Sequence, residues 1–216
     1  MSTGLFTKIE KYYRRYGLTG GVLVFAKKMS MRLIRPIIKY DEVVLVKRPL
    51  EHAGKKYAII PEVSLEIVIL KEGDYEELRT VSGNRDDDFI RSRMKNGESC
   101  YVARHNGRIC FYSWVSTGER VVNCDRKEIP IGKGEIYIRD CFTLPEFRGK
   151  GIAPYFYDYI SGIFGDRGFK RAVAYVMGEN YPSIRSFEKA GFSIYERVSF
   201  IKPFFRSEAI FRTEKV

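Results

Sequence analysis

The chain has 216 residues, of which 44% are hydrophobic and 14% aromatic, a composition typical of a folded globular protein rather than a disordered one. Four cysteines without a C-x-x-C pair and only two histidines disfavour a zinc site, so we expect reduced cysteines, no metal and a cytoplasmic location. The formal net charge is +11. No apolar run reaches the length of about eighteen residues that a membrane span needs, and we expect no signal peptide at the start.

The positive charge is concentrated in residues 1–40, which hold nine Lys or Arg against a single acidic residue, Glu10, and so carry +8 of the net +11. Apolar residues recur at helical spacing over residues 6–16 and 22–35, before Pro36. Two basic amphipathic helices predict an acidic partner surface. Their aromatic residues suit an anionic membrane, as at the inner membrane surface, better than nucleic acid, for which no further binding motif is present. The alternative is that the apolar faces pack on the domain and leave the cations solvated.

Residues 41–46 resemble a strand, with which residues 55–60 could pair. Pro61 marks a boundary, so we predict a basic extension of helices and strands at residues 1–60 and a second domain at residues 61–216.

The first half of the second domain reads as a strand, two helices and a hairpin. Residues 65–70 predict a strand followed by a helix from Asp74, and the acidic triplet at residues 86–88 favours the start of a second helix over a metal site. Residues 100–104 and 109–115 predict two strands joined at His105-Asn106-Gly107, a hairpin turn signal that makes His105 a surface residue. Residues 116–134 predict a polar loop long enough to line a substrate site.

The most informative stretch begins with a predicted strand at residues 135–143, which Pro145 ends, and closes with a predicted helix over residues 152–164. Between them lies the glycine turn Arg148-Gly149-Lys150-Gly151-Ile152-Ala153. Backbone N–H groups in such a turn, together with the start of a helix, form an anion site. A P-loop is excluded because Gly151 stands where it needs Ser or Thr, and a dinucleotide fingerprint is excluded because residue 154 is proline.

The remaining elements are a strand at residues 171–177, a helix that Gly191 ends in a left-handed conformation, and a closing hairpin made by residues 192–201 and 208–213. Hairpins followed by alternating strands and helices predict an α/β (α+β) fold, with one mixed, mostly antiparallel sheet flanked by helices.

Two motifs resemble those of the GNAT acetyltransferase superfamily over about residues 63–216. The glycine turn is similar to the family's Arg/Gln-x-x-Gly-x-Gly/Ala loop, and residues 180–192 are similar to its later helix, Asn-x-x-Ala-Ile-x-x-Tyr-x-x-x-Gly-Phe. The resemblance implies an N-acetyltransferase with acetyl-CoA as cosubstrate and an amine as acceptor. It also places the strands at residues 41–46 and 55–60 outside the usual family core.

The resemblance further implies which residues contact acetyl-CoA. The turn would hold the pyrophosphate, the strand end would bind pantetheine and polarise the thioester carbonyl, and the asparagine before the later helix would contact the pantetheine arm. These cofactor-binding residues are Phe142, Thr143, Arg148, Gly149, Lys150, Gly151, Ile152, Ala153, Asn180 and Ser183.

The candidate general bases are Asp140 and Glu135, and we favour Asp140 because it lies nearer the end of the strand where the sheet splays. An ion pair of Asp140 with Arg139 or another strand cation is the alternative, and a bulge would decide whether Asp140 or Cys141 faces the substrate. Phe187 stands where many family members have a tyrosine as general acid. Tyr195 or Tyr181 could replace it, although an aromatic residue that merely packs is commoner.

The alternative function is a GNAT-like module that binds CoA or docks a partner without catalysis, which Phe187 favours and the intact turn disfavours. The sequence leaves open the acceptor, the acyl chain length and the oligomeric state, for which a homodimer is one alternative.

Overall fold

The computed structural model describes residues 38–50, 59–82, 87–117, 121–124, 127–203 and 210–216. The two predicted N-terminal helices and most of the predicted strand at residues 55–60 lie outside these residues. The described strands are β1 Ile38–Pro49, β2 Glu66–Ile69, β3 Glu98–His105, β4 Arg108–Ser116, β5 Val121–Cys124, β6 Lys127–Pro130, β7 Glu135–Thr143, β8 Arg171–Met177, β9 Ser193–Pro203 and β10 Ile210–Lys215. The described α-helices are α1 Tyr75–Ser82, α2 Asp87–Lys95, α3 Ile152–Asp166 and α4 Tyr181–Lys189.

Eight strands form one sheet in the order β10-β9-β1-β8-β7-β4-β3-β2. The pairings of β2 with β3, β3 with β4, β4 with β7 and β9 with β10 are antiparallel, whereas β7 and β8 are parallel. This confirms the predicted mixed, mostly antiparallel α/β fold. β1 contains the predicted strand at residues 41–46, and its membership of the sheet was not expected from the usual family core.

The predicted polar loop at residues 116–134 is only partly a loop. It contains β5 and β6, which pair as a two-stranded antiparallel sheet from Val121 opposite Pro130 to Cys124 opposite Lys127. The prediction was wrong here because the short β-branched runs have strand propensity that the surrounding polar residues obscured.

The chain divides into two compact units. Among the described residues, the larger unit contains those from 47 to 174 and from 187 to 193, and the smaller one contains those from 38 to 46, from 175 to 186 and from 194 to 216. In the larger unit both faces of β4 are covered, since Trp114 packs with Leu78 of α1 and Ile90 of α2, and Phe111 packs against Phe156 of α3 with ring centroids 4.7 Å apart. Covered faces account for the nearly continuous apolar run of β4.

The end of α4 has the structure that Gly191 predicted. Gly191 has φ +79°, its N–H donates to Glu188 O at 2.9 Å, and the Phe192 N–H donates to Phe187 O at 3.0 Å, which together form a Schellman motif. Arg48 Nη1 donates to the carbonyl of Ala190, directly after α4, at 2.6 Å, so a cation also lies at the helix end, where it is favourable.

Within the smaller unit, β9 and β10 form the predicted closing hairpin, with Ile210 opposite Ile201 and Lys215 opposite Glu196. In the same unit, the Gly178 N–H donates to Glu42 O at 2.7 Å.

Candidate active site

The glycine turn joins β7 to α3. After a short 3-10 turn at Pro145–Phe147, Gly149 and Gly151 adopt φ +85° and +73°, conformations that glycine reaches without steric cost. The turn is held through its carbonyl groups, because Lys150 O accepts from the Glu62 N–H at 3.1 Å and Gly151 O accepts from the Tyr155 N–H at 3.1 Å. Among the described residues, no acceptor outside α3 takes a backbone hydrogen bond from the N–H groups of residues 149–153. These donors are therefore available to an anion.

Cations and aromatic rings surround the turn. The Arg148 guanidinium lies 5.6 Å from the centroid of the Phe142 ring, and its Nε donates to Thr143 O at 3.2 Å. Lys150 Nζ lies 5.0 Å from the centroid of the Phe147 ring. The first turn of α3 contains no acidic residue, so the helix N-terminus and both cations favour a bound anion.

His105 supports the turn from the β3–β4 hairpin, which sequence reasoning missed. Its ring meets Phe147 edge to face with centroids 5.7 Å apart, and its Nδ1 lies 2.8 Å from Ser64 O. The hairpin itself is as predicted, with φ +49° at Asn106 and +80° at Gly107. The contact was hidden from the sequence because His105 and Phe147 lie far apart along the chain.

β7 leaves its parallel neighbour near its middle. Its register with β8 runs only from Glu135 opposite Arg171 to Tyr137 opposite Val173, whereas its pairing with β4 continues to Thr143. The second half of β7 therefore offers backbone groups on its β8 side, which an extended ligand with amide groups could use as a strand partner.

A bulge lies at this point of β7. Arg139 is opposite Trp114 and Phe142 is opposite Tyr112, so β7 contains one residue more than β4 over this interval. Asp140 has φ +58°, which for a residue with a side chain costs on the order of 1 kcal/mol. Bulges bend strands and increase their twist, which agrees with the departure of β7 from β8.

The bulge sends its two central side chains to different helices. Asp140 Oδ2 accepts from Arg93 Nη1 of α2 at 2.7 Å, so the ion pair left open by the sequence is present, with a helix cation rather than Arg139. This contact occupies one oxygen of the carboxylate that the sequence suggested as the general base. Cys141 Sγ lies 3.2 Å from Ser113 Oγ, and its thiol interacts with the hydroxyl of Tyr157 on α3.

Cys141 and Tyr157 are neutral groups. Burial raises the pKa of the Cys141 thiol to about 11 and raises the pKa of the Tyr157 hydroxyl well above its ordinary value. Phe187 stacks on Tyr157 with centroids 4.0 Å apart and 3° between the ring planes. Tyr157, whose ring stacks on Phe187, thus carries a hydroxyl beside the bulge. Sequence reasoning missed this hydroxyl, because Tyr157 lies among the apolar residues of α3.

Glu135 lies at the other end of β7. It accepts hydrogen bonds from Arg171 Nε and from the Gly132 N–H, the latter at 2.8 Å, and only 7% of its surface is exposed. Eight residues of extended chain separate it from Thr143, which is roughly 26 Å. The structure does not bring Glu135 to the turn.

Four further candidate residues belong to the smaller unit: Asn180, Tyr181, Ser183 and Tyr195. Asn180 directly precedes α4, where its carbonyl accepts from the N–H groups of Ser183 at 3.0 Å and Ile184 at 3.1 Å. Tyr195 lies in β9, and its carbonyl accepts from the Val216 N–H at 3.1 Å. Their roles in cofactor binding and catalysis stay predictions.

Within the described part of the chain, no group of three or more His, Cys, Asp or Glu side chains is arranged to hold a metal ion. No helix among those same residues has the length and apolar character needed to cross a membrane.

A family model described as the acetyltransferase (GNAT) family matches residues 66–192, more than half of the chain. The chain belongs to the GNAT acetyltransferase family. The match runs from β2 to the residue after Gly191 and so includes the bulged strand and the glycine turn. Among proteins with curated descriptions, none matches the sequence.

Solved structures share the fold of this GNAT protein. A GCN5-related N-acetyltransferase from Sphaerobacter thermophilus is 14% identical with a TM-score of 0.56, over 87% of this chain and 56% of that one. A GNAT-family acetyltransferase from Colwellia psychrerythraea is 12% identical with a TM-score of 0.52, over 75% of this chain and 55% of that one. The chain thus spans little more than half the length of either protein.

Proposed function

We propose that this GNAT protein transfers an acetyl group from acetyl-CoA to a primary amine of an acceptor. The observation that carries the proposal is the glycine turn, whose N–H groups at residues 149–153 donate to no described acceptor outside α3. The turn lies at the start of a 15-residue helix and directly after the half of β7 that has left β8. A pyrophosphate at the turn and an amide-bearing arm along β7 would satisfy both sets of backbone groups.

The reaction forms a C–N bond and breaks the C–S bond of the thioester, with the electron pair going to sulfur. Backbone donors at Phe142 and Thr143 would polarise the carbonyl, as donors aimed at a developing oxyanion do. The departing thiolate needs little help, because an ordinary thiol has a pKa of about 8.5. This is why Phe187 is compatible with turnover.

The amine must be neutral to attack, and an alkylammonium has a pKa of about 10.4. Asp140 and Glu135 are each held by an arginine, so a water chain or a group of the acceptor is the better-supported route for this proton. Asp140 as the base stays the second option.

Calorimetry with acetyl-CoA tests the turn. Gly149→Asp should abolish measurable binding, because the added carboxylate repels a pyrophosphate and its side chain occupies the anion's place. In the unliganded protein a Cβ at Gly149 meets nothing within 4 Å, so the loss cannot be attributed to a clash inside the protein.

Gly97→Asp is the matched control for this variant. Gly97 also has a positive φ, +77°, and open space around it, but it follows α2 and lies outside the turn. It should bind acetyl-CoA like the wild type. Equal binding by both variants would contradict the assignment of the turn.

We further propose a cytoplasmic location, with residues 1–40 in contact with an anionic membrane surface. The support for the location is that Cys100, Cys110 and Cys141 are free thiols, and the support for the surface is the +8 charge of the segment.

A further inference from the structure

A buried ion-pair network holds the bulge of β7 from outside the strand. The guanidinium of Arg93 on α2, a residue only 6% exposed, donates from Nη1 to Asp140 and from Nε and Nη2 to Glu98 Oε2 of β3, the latter two at 3.0 and 2.5 Å. Its carbon Cζ lies 4.2 Å from the centroid of the Trp114 ring on β4. One side chain of α2 therefore contacts three neighbouring strands at the bulge.

We propose that Arg93 is a positioning residue, which fixes the β7 bulge through Asp140 and so sets the backbone edge along which acetyl-CoA binds. Only the identity of that ligand rests on the proposed function. The bulge and the network that holds it are features of the larger unit itself.

The conformation of Asp140 supports this role. Its φ of +58° is one that glycine adopts freely, yet the position is occupied by a residue with a side chain. The contact with Arg93 offsets the strain, because a charge-assisted hydrogen bond, here between a buried guanidinium and a partly exposed carboxylate, is among the stronger polar interactions in proteins. The carboxylate is thus used to hold the backbone.

Loss of the bulge would have a defined consequence for the site. If β7 paired regularly with β4, each residue after Arg139 would shift by one position, and every following side chain would change face. Cys141 would lose its contact with Ser113, and the backbone groups that now face the open edge after Asp140 would turn toward β4. The network therefore controls which groups β7 presents where it has left β8.

Two substitutions of Asp140 separate positioning from base catalysis. Asp140→Ala removes the carboxylate and keeps a side chain at the strained φ, so the Kd for acetyl-CoA should rise about tenfold or more. Asp140→Gly also removes the carboxylate but relieves the strain, so it should recover most of that loss. A base would be equally absent from both variants.

A matched pair of arginines on α2 completes the design. Arg93→Lys keeps the charge but loses the planar fork that joins Glu98 and Asp140, and it should weaken acetyl-CoA binding. Arg91→Lys is the control, because Arg91 is 45% exposed and pairs with Glu72 at the surface. It should bind like the wild type.

Hydrogen exchange of the backbone amides of residues 139–143, measured without ligand, accompanies the calorimetry. Faster exchange in Asp140→Ala and Arg93→Lys, but not in Asp140→Gly or Arg91→Lys, is the expected result. Equal behaviour of the Ala and Gly variants, in binding and in exchange, would overturn the inference.

If the wild type does not bind acetyl-CoA, the proposed function fails, and the exchange pattern alone decides on the positioning role. If Asp140→Ala does not fold, Arg93→Lys against Arg91→Lys gives the same decision.

Discussion

At the scale of single residues, we expect the protonation of Cys141 to affect the stability of the protein at alkaline pH. Burial raises the pKa of its thiol to about 11 from 9.0, so the folded protein keeps a proton that the unfolded chain releases. The stabilisation is complete below pH 9 and is lost as pH rises through 11. Between pH 8 and pH 10 the free energy of unfolding should fall on this account by on the order of 1 kcal/mol.

Urea unfolding of the wild type and Cys141→Ala at both pH values checks this. Groups other than Cys141 titrate in both proteins, so the difference between the two pH dependences isolates the thiol. The wild type should lose more stability than the variant. An identical loss in both proteins would mean that the thiol is not held neutral by the fold.

Phe187 is buried against two aromatic rings. It is 2% exposed, stacked on Tyr157 and edge to face with Phe192 at 5.0 Å. The stack shows that the position has a packing role in this protein. The sequence showed that the tyrosine was absent but could not show that a hydroxyl lies on the neighbouring ring, because the pair is 30 positions apart along the chain.

At the scale of elements, local patterns predicted what depends on neighbours in sequence. The bounds of β7 followed from its apolar residues and from Pro145, and the start of α3 at Ile152 followed from the glycine turn. The bulge at Asp140 could not be predicted, because it is a property of the register between β7 and β4. The partner of Asp140 could not be predicted either, because Arg93 lies 47 residues away along the chain.

The basic segments at residues 1–40 belong to the same scale, although residues 1–37 lie outside those that the structure describes. Near an anionic membrane each Lys or Arg contributes on the order of 1 kcal/mol, so a segment with a net charge of +8 should bind such a surface measurably at low salt. Co-sedimentation with liposomes tests this.

Anionic vesicles at low salt should sediment the full chain, and neutral vesicles or high salt should release it. A chain in which the nine Lys and Arg residues are replaced by Gln is the control. Equal sedimentation with neutral and anionic vesicles at low salt would contradict the proposal and favour packing of the apolar faces on the domain.

At the scale of the whole molecule, the family match covers only part of the sheet. The family match covers residues 66–192, whereas the sheet also contains β1, which precedes this range, and β9 and β10, which follow it. The matched part holds the glycine turn, the bulge and the network around Arg93, so acetyl-CoA binding is expected of this part. The acceptor is not specified by any of these features.

Release of the CoA thiol from acetyl-CoA in the presence of a panel of primary amines tests the central claim most directly. The wild type and Gly97→Asp should release thiol only when an accepted amine is present, with an equal amount of acetylated amine detected by mass spectrometry, and Gly149→Asp should release none. Tight binding of acetyl-CoA without transfer to any amine, across a panel of amino sugars, amino acids, polyamines and lysine peptides, would contradict the account and support a CoA-binding module without catalysis.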